Sequence, residues 1–143
     1  MLSENKVRHI LKVAELCYFI ALEKYNLTEE KARAMWVIGY NHDIGYNFMS
    51  SEDSPKKHPE IGSNAIKEAF NFDCEAIRLH GKCVSQSNLS LRILNEADLR
   101  VDSHGNEVSV EERLADICKR YGKDSSQYGQ AMWLAKELEL IKE

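Results

Sequence analysis

The dipeptide His42-Asp43 closes an apolar segment and is followed by Ile44-Gly45, where glycine lets the chain leave a helix. An imidazole beside a carboxylate among apolar neighbours needs compensation, and a bound cation supplies it. Such a pair occurs often by chance and says little alone. It gains weight from its company: His9 in the first apolar-periodic segment, His58 just before Pro59, His80 at the end of a short apolar stretch, and Asp98 in a later one. Each has a plainer alternative. His9 reads also as a hydrogen-bonded core histidine, and His42-Asp43 as a helix-terminal pair beside the dipole. Asp98 reads also as a solvated helix residue, His58 as the residue before a Pro-initiated helix, and His80 as a helix terminator. Together they favour a metal site, because most of them adjoin apolar helix positions where a free charge is costly.

Other residues carry weaker signals. Lys56 and Lys57 precede His58 in a polar stretch, and Arg78, Lys82 and Arg100 lie close in sequence to His80 and Asp98. Any of these five cations suits a phosphate or another anion, against the alternative of solvated lysines and surface ion pairs. Asp102, four residues after Asp98, is read as a helix-end cap or as a group that orients a ligand. His104, in the turn Ser103-His104-Gly105-Asn106, is read as a surface residue. Trp36 and Trp133 are read as core. Cys17, Cys74, Cys83 and Cys118 contain no CxxC pair, and with no secretory signal they are read as reduced, mostly buried thiols.

The elements that must position these groups read as helices, since apolar residues recur at helical spacing and no period-2 strand stands out. The first helix runs from about Ser3 to Tyr25. Its apolar positions include Val7, Ile10, Leu11, Ala14 and Cys17, a stripe broad enough to make it central. Thr28 caps a second helix that ends near His42 and Asp43. Asn47 to Lys57 reads as a mobile polar loop, and Pro59 at the first helical position opens a third helix reaching Phe70. A short helix from about Asp73 to His80 follows, then one from Ser87 or Asn88 to Val101. Ser109-Val110-Glu111-Glu112 has the form of a capping box for a helix to Tyr121, and Asp124 caps the last helix. The expected fold is all-α, one helical bundle of about seven helices over residues 1–143. At 143 residues, 43% apolar and 29% charged, the chain fits one ordinary globular domain. A net charge of −4 argues against nucleic acid or an anionic membrane as a partner, and the longest apolar run is too short to span a bilayer. The expected location is cytoplasmic.

The order His, His-Asp, His, His, Asp on helical segments resembles the HD-domain superfamily of metal-dependent phosphohydrolases. Arg8-His9-Ile10-Leu11 resembles the first-helix motif, and Asn41-His42-Asp43-Ile44-Gly45-Tyr46 the motif that gives the family its name. His58-Pro59-Glu60-Ile61-Gly62 and Ala76-Ile77-Arg78-Leu79-His80 resemble the additional histidine segments of dinuclear members, and Glu96-Ala97-Asp98-Leu99 the final aspartate motif. The likeness covers roughly residues 7–101. It implies that His9, His42, Asp43 and Asp98 hold one ion, that His58 and His80 hold a second, and that Asp43 bridges them, with His42 and Asp43 at the catalytic centre. Such a nitrogen and oxygen set, without thiolate, suits two divalent ions of Fe, Mn, Co, Ni or Zn. A metal-activated hydroxide would then hydrolyse a small phosphorylated substrate, a nucleotide in the leading reading. Many members carry Lys where this chain has Tyr46, which leaves the phosphate contact unassigned. A di-iron oxygenase and a non-catalytic nucleotide-sensing module are the rival readings.

Overall fold

A computed structural model describes residues 2–47, 49, 54–70 and 75–142, with side chains described for all of these except 47 and 66–70. Much of the polar 47–57 stretch, Cys74 and the side chains of Ile66, Ala69 and Phe70 therefore lie outside the description. Among the described residues the fold is all-α: seven α-helices, no strand, and one isolated antiparallel bridge between Val101 and Glu107.

Helix α1 (Glu4–Phe19) starts at Ser3, whose hydroxyl accepts the Lys6 N–H, and runs on into a π-turn at Ile20–Lys24. Helix α2 (Glu29–Asn41) starts at Thr28, which accepts the Lys31 N–H. The two helices pack closely because Gly39 has no side chain: a Cβ there would stand 2.8 Å from Ala14 Cα and 2.9 Å from Cys17 Sγ. Short 3₁₀ turns at Ile44–Asn47 and Pro55–Lys57 lead into α3 (His58–Phe70). Pro55 opens the 3₁₀ turn behind a Ser54 cap, and Pro59 stands in the first turn of α3 as expected, one residue after its start at His58. Helices α4 (Glu75–Leu79) and α5 (Leu89–Asp98) complete the site-bearing part, with Asn88 capping α5. Helix α5 stops before Val101, which instead bridges to Glu107 across the turn at 102–106.

The main apolar cluster joins Val13 and Cys17 of α1, Met35 and Ile38 of α2, Ile77 of α4, and Leu91 and Leu94 of α5. A second cluster sits between α6 (Val110–Tyr121) and α7 (Ser126–Glu137), with Leu99 joining it from the end of α5. The Ser109–Glu112 capping box forms as the pattern predicts, whereas α7 is capped by Ser125 in place of Asp124. Helix α1 is buried on one side only, since Val7 and Leu11 are exposed. Trp36 and Trp133 are also exposed, each at 37%, and Trp36 stacks on Tyr40 instead of entering the core. Cys17 is buried, but Cys83 is exposed and Cys118 half-buried, so of the three described thiols only Cys17 is core. No helix among the described residues is long and apolar enough to cross a membrane.

Candidate metal centre

His42 caps the C-terminus of α2, and its ring Nδ1–H donates back to the Gly39 carbonyl at 2.7 Å. His58, closing the 3₁₀ turn before α3, donates from Nδ1 to the Pro55 carbonyl at 2.7 Å. His80, just past α4, donates from Nδ1 to the Ile77 carbonyl at 2.6 Å. These three rings use the same local device: an imidazole at the end of a helical turn donates to the carbonyl three residues back, and the Gly39 and Pro55 carbonyls accept the backbone N–H of the same histidine as well. His9 lies mid-helix, where its own turn offers no free carbonyl, and it donates from Nδ1 to the Asp102 carbonyl at 2.9 Å. All four Nδ1 atoms are therefore occupied as donors, which leaves each Nε2 as the nitrogen available to a ligand.

The four Nε2 atoms converge on two carboxylates. His9 Nε2 is 2.9 Å from Asp98 Oδ1 and 3.7 Å from Asp43 Oδ2. His42 Nε2 is 3.1 Å from Asp43 Oδ2 and 3.5 Å from Asp98 Oδ1. On the opposite side, Asp43 Oδ1 lies 3.0 Å from His58 Nε2 and 3.5 Å from His80 Nε2. The two oxygens of Asp43 thus face different pairs of histidines. Ligand atoms of His9, His42 and Asp98 lie within 4.8 Å of one another, as do those of His42, Asp43 and His80.

Two features fit this donor set to a cation. His42 Nε2 is fully buried and makes no hydrogen bond despite the nearby carboxylates. The His58 and His80 Nε2 atoms meet at 3.1 Å, and with both Nδ1 atoms protonated their lone pairs oppose each other unless a positive charge intervenes. The electrostatics agree. Burial pushes the His42 pKa down, but the Asp43 and Asp98 carboxylates outweigh it and hold the ring up at about 10. Burial also pushes Asp43 and Asp98 up; the charge of the close His42 ring on both, with the His9 hydrogen bond and charge on Asp98, holds them well below the usual carboxylate range. Burial keeps His80 below its ordinary value, despite the neighbouring Asp43. A site that keeps carboxylates ionised and demands positive charge between two facing imidazoles suits a divalent metal.

Supports around the ligands explain how the chain delivers them. Gly45, two residues after Asp43, presses on α3, and a Cβ there would overlap the His58 carbonyl and stand 2.9 Å from the Gly62 nitrogen. That contact brings Asp43 to His58. The carbonyl that holds His9 belongs to a rigid turn, in which Asp102 Oδ1 accepts the N–H groups of His104 and Asn106, both at 2.9 Å. Asp102 therefore orients a ligand through its backbone while its side chain closes the turn, and His104 is exposed as expected. On α5, the buried Asn95 accepts the Gly81 N–H at 2.9 Å and donates to Gln86 at 2.9 Å, pinning the segment that follows His80.

All six residues singled out by type and spacing, His9, His42, Asp43, His58, His80 and Asp98, meet at this one place. The five candidate anion contacts do not join them. Arg78 pairs with Glu75, Lys82 with Glu60 and Arg100 with Glu96, while Lys56 and Lys57 are exposed. Among the described residues, the cation that does reach the cluster is Lys6, with Nζ 3.3 Å from Asp43 Oδ2 and 4.5 Å from the centroid of the Tyr46 ring. Its position three residues before His9 places both on one helical face, a signal available in the sequence and unused.

A family model described as the HD domain matches residues 7–121, which extends the likeness past Asp98 and through α6. No curated protein and no solved structure matches the chain.

Proposed function

We propose that this chain, which belongs to the HD-domain family, is a metal-dependent phosphohydrolase acting on a phosphate ester or anhydride, with phosphorylated nucleotides as the substrate class. The observation that carries the reading is the shared state of the four imidazoles: every Nδ1–H is spent on a main-chain carbonyl, so every Nε2 is offered to the Asp43–Asp98 pair. In this reading His9, His42 and Asp98 would hold one ion and His58 and His80 a second, with Asp43 shared between the two sets. Divalent ions bound there supply an activated water near neutral pH and offset negative charge on phosphoryl oxygens.

The chain's own part is to position and to exclude water. His42 and His80 are buried, which keeps the inner wall dry and strengthens every charge interaction there. The side chains of Asp98, His58 and Lys6 are 24%, 16% and 32% exposed, so substrate approaches from their side. Asp43 keeps its proton off across the neutral range, so both its oxygens stay available as acceptors.

The test is metal analysis of protein purified without chelator, followed by phosphate release from a panel of nucleotides with Mn, Fe, Co, Ni and Zn. Two ions per chain and turnover of at least one nucleotide are expected, with both lost in Asp43→Ala. Turnover that survives Asp43→Ala undiminished, or a chain that neither retains nor takes up divalent metal, overturns the reading.

A further inference from the structure

We propose that Lys6 is the residue that binds the substrate's phosphoryl oxygens, held for that role by Tyr46 rather than by Asp43. The inference rests on the phosphohydrolase reading of the site and names a contact that the sequence motifs left open.

Lys6 lies on the open side of the cluster, with its side chain about one third exposed, and touches the centre at Asp43 Oδ2. That same oxygen faces His42 at 3.1 Å and His9 at 3.7 Å, which makes it a metal-facing atom. A divalent ion held there competes with a single ammonium for the carboxylate and prevails by charge. Asp43 and Asp98 bring two negative charges against four from a pair of divalent ions, so the loaded centre is already positive. A further cation beside such a centre is repelled unless an anion joins it, and a phosphoryl group is that anion.

A lysine freed from its carboxylate would ordinarily swing into solvent. Lys6 has a second seat. Its Nζ stands 4.5 Å from the centroid of the Tyr46 ring, a cation–π distance. The ring is itself fixed, stacked on His58 with centroids 4.2 Å apart and planes 16° from parallel. Tyr46 thus ties the ammonium to a ligand histidine, and Lys6 stays at the mouth of the site when its ion pair gives way. An aromatic residue directly after His42-Asp43-Ile44-Gly45 thereby serves a cation delivered from α1. Of the other candidate cations, Arg78, Lys82 and Arg100 are engaged with glutamates, and Lys56 and Lys57 are exposed.

The probe is inorganic phosphate, titrated calorimetrically into Mn-loaded wild type, Lys6→Gln, Lys6→Arg and Lys12→Gln, with metal content measured on the same samples. Lys12 pairs with Glu15 farther along the same helix and serves as the charge control. Loss of one charge-assisted hydrogen bond predicts phosphate binding weakened about tenfold or more in Lys6→Gln. Lys6→Arg is expected within about threefold of wild type, since it keeps the charge and the donors. Lys12→Gln and all metal contents are expected unchanged. In steady-state hydrolysis the Lys6→Gln defect appears mainly in KM. Phosphate that binds wild type and Lys6→Gln alike overturns this inference while leaving the phosphohydrolase reading in place. Metal lost from Lys6→Gln as from Asp43→Ala also overturns it, because Lys6 would then be a support for Asp43. Wild type that holds metal and binds no phosphate overturns both.

Discussion

Asn95→Leu tests whether the buried amide on α5 holds the His80 end of the centre. Asn95 is 1% exposed, and its side chain makes two hydrogen bonds of 2.9 Å, from the Gly81 N–H and to Gln86 Oε1. Leucine is close in length and removes both. Gln86 is buried as well, so its oxygen loses its partner with little water to replace it, whereas the half-buried Gly81 N–H is partly rescued by solvent. Orphaned buried groups cost about 1–3 kcal/mol each, and the added apolar contact offsets part of this, which leaves a net loss of about 2 kcal/mol. At about 3 °C per kcal/mol for a chain of this size, the metal-free protein melts roughly 6 °C lower and still folds. The sharper expectation concerns metal. Gly81 follows His80 directly, so releasing it loosens His80 and leaves His9, His42 and Asp98 untouched; cobalt titration should lose the second of its two spectral phases. Gln86→Leu is the comparison, since it costs similar stability while Asn95 still holds Gly81, and there both phases should persist. Two undisturbed phases in Asn95→Leu, or equal loss in both variants, would refute the argument.

Three further outcomes follow from the same geometry. Gly45→Ala places a methyl against the main chain of His58 and Gly62, which cannot yield without moving α3; a loss of about 3 kcal/mol and weaker metal binding are expected in calorimetry and metal titration. Gly129→Ala has the opposite sign, because Gly129 lies within α7 with nothing within 4 Å of an added Cβ, and a gain of about 0.5–1 kcal/mol should appear in urea unfolding. For the metal-free protein, the raised His42 contributes stability that is full below its ordinary value of 6.5 and lost as pH rises through about 10. The depressed His80 acts the other way, and its penalty enters as pH falls below its ordinary 6.5; the depressed Asp43 and Asp98 add a loss as pH falls below their ordinary 3.8. Melting temperature with chelator should therefore peak near the ordinary histidine value, 6.5, while the increment from added metal grows with pH as His42 yields its proton. A metal increment that shrinks between pH 6.5 and 9 contradicts this assignment.

The six-residue cluster was legible because its members interrupt apolar helical periodicity with groups that a core does not accept uncompensated. His42 and Asp43 follow Ile38 and Gly39, and Asp98 follows Ala97, so burial could be read from the neighbours. The supports were not legible for the same reason in reverse. Asn95 looks like one more polar residue on α5, and nothing in its neighbours reveals that its partners are Gly81 and Gln86. Lys6 carries no such signal, because a lysine in a first helical turn is ordinarily solvated, and its aim at Asp43 depends on where α2 ends. Boundaries failed where two residues had equal claims: Asp124 and Ser125 are both good caps, and Val101 fits a helix end as well as the bridge it makes to Glu107. Trp36 and Trp133 mislead by size, since an aromatic at helical spacing packs equally on a neighbour such as Tyr40.

What orients each imidazole of the cluster is a backbone carbonyl, and this decides how the site responds to change. Replacing a side chain cannot delete the carbonyl of Gly39, Pro55, Ile77 or Asp102, so the tautomers survive most substitutions around the centre. The positions of those carbonyls are less protected. They depend on close approaches at Gly39 and Gly45, on the turn closed by Asp102 and Asn106, and on the amide of Asn95. Substitutions that weaken the site without touching a ligand should therefore cluster at small residues and buried amides. They should lower metal affinity by displacing one ring at a time, because the four rings are anchored to four separate stretches of main chain.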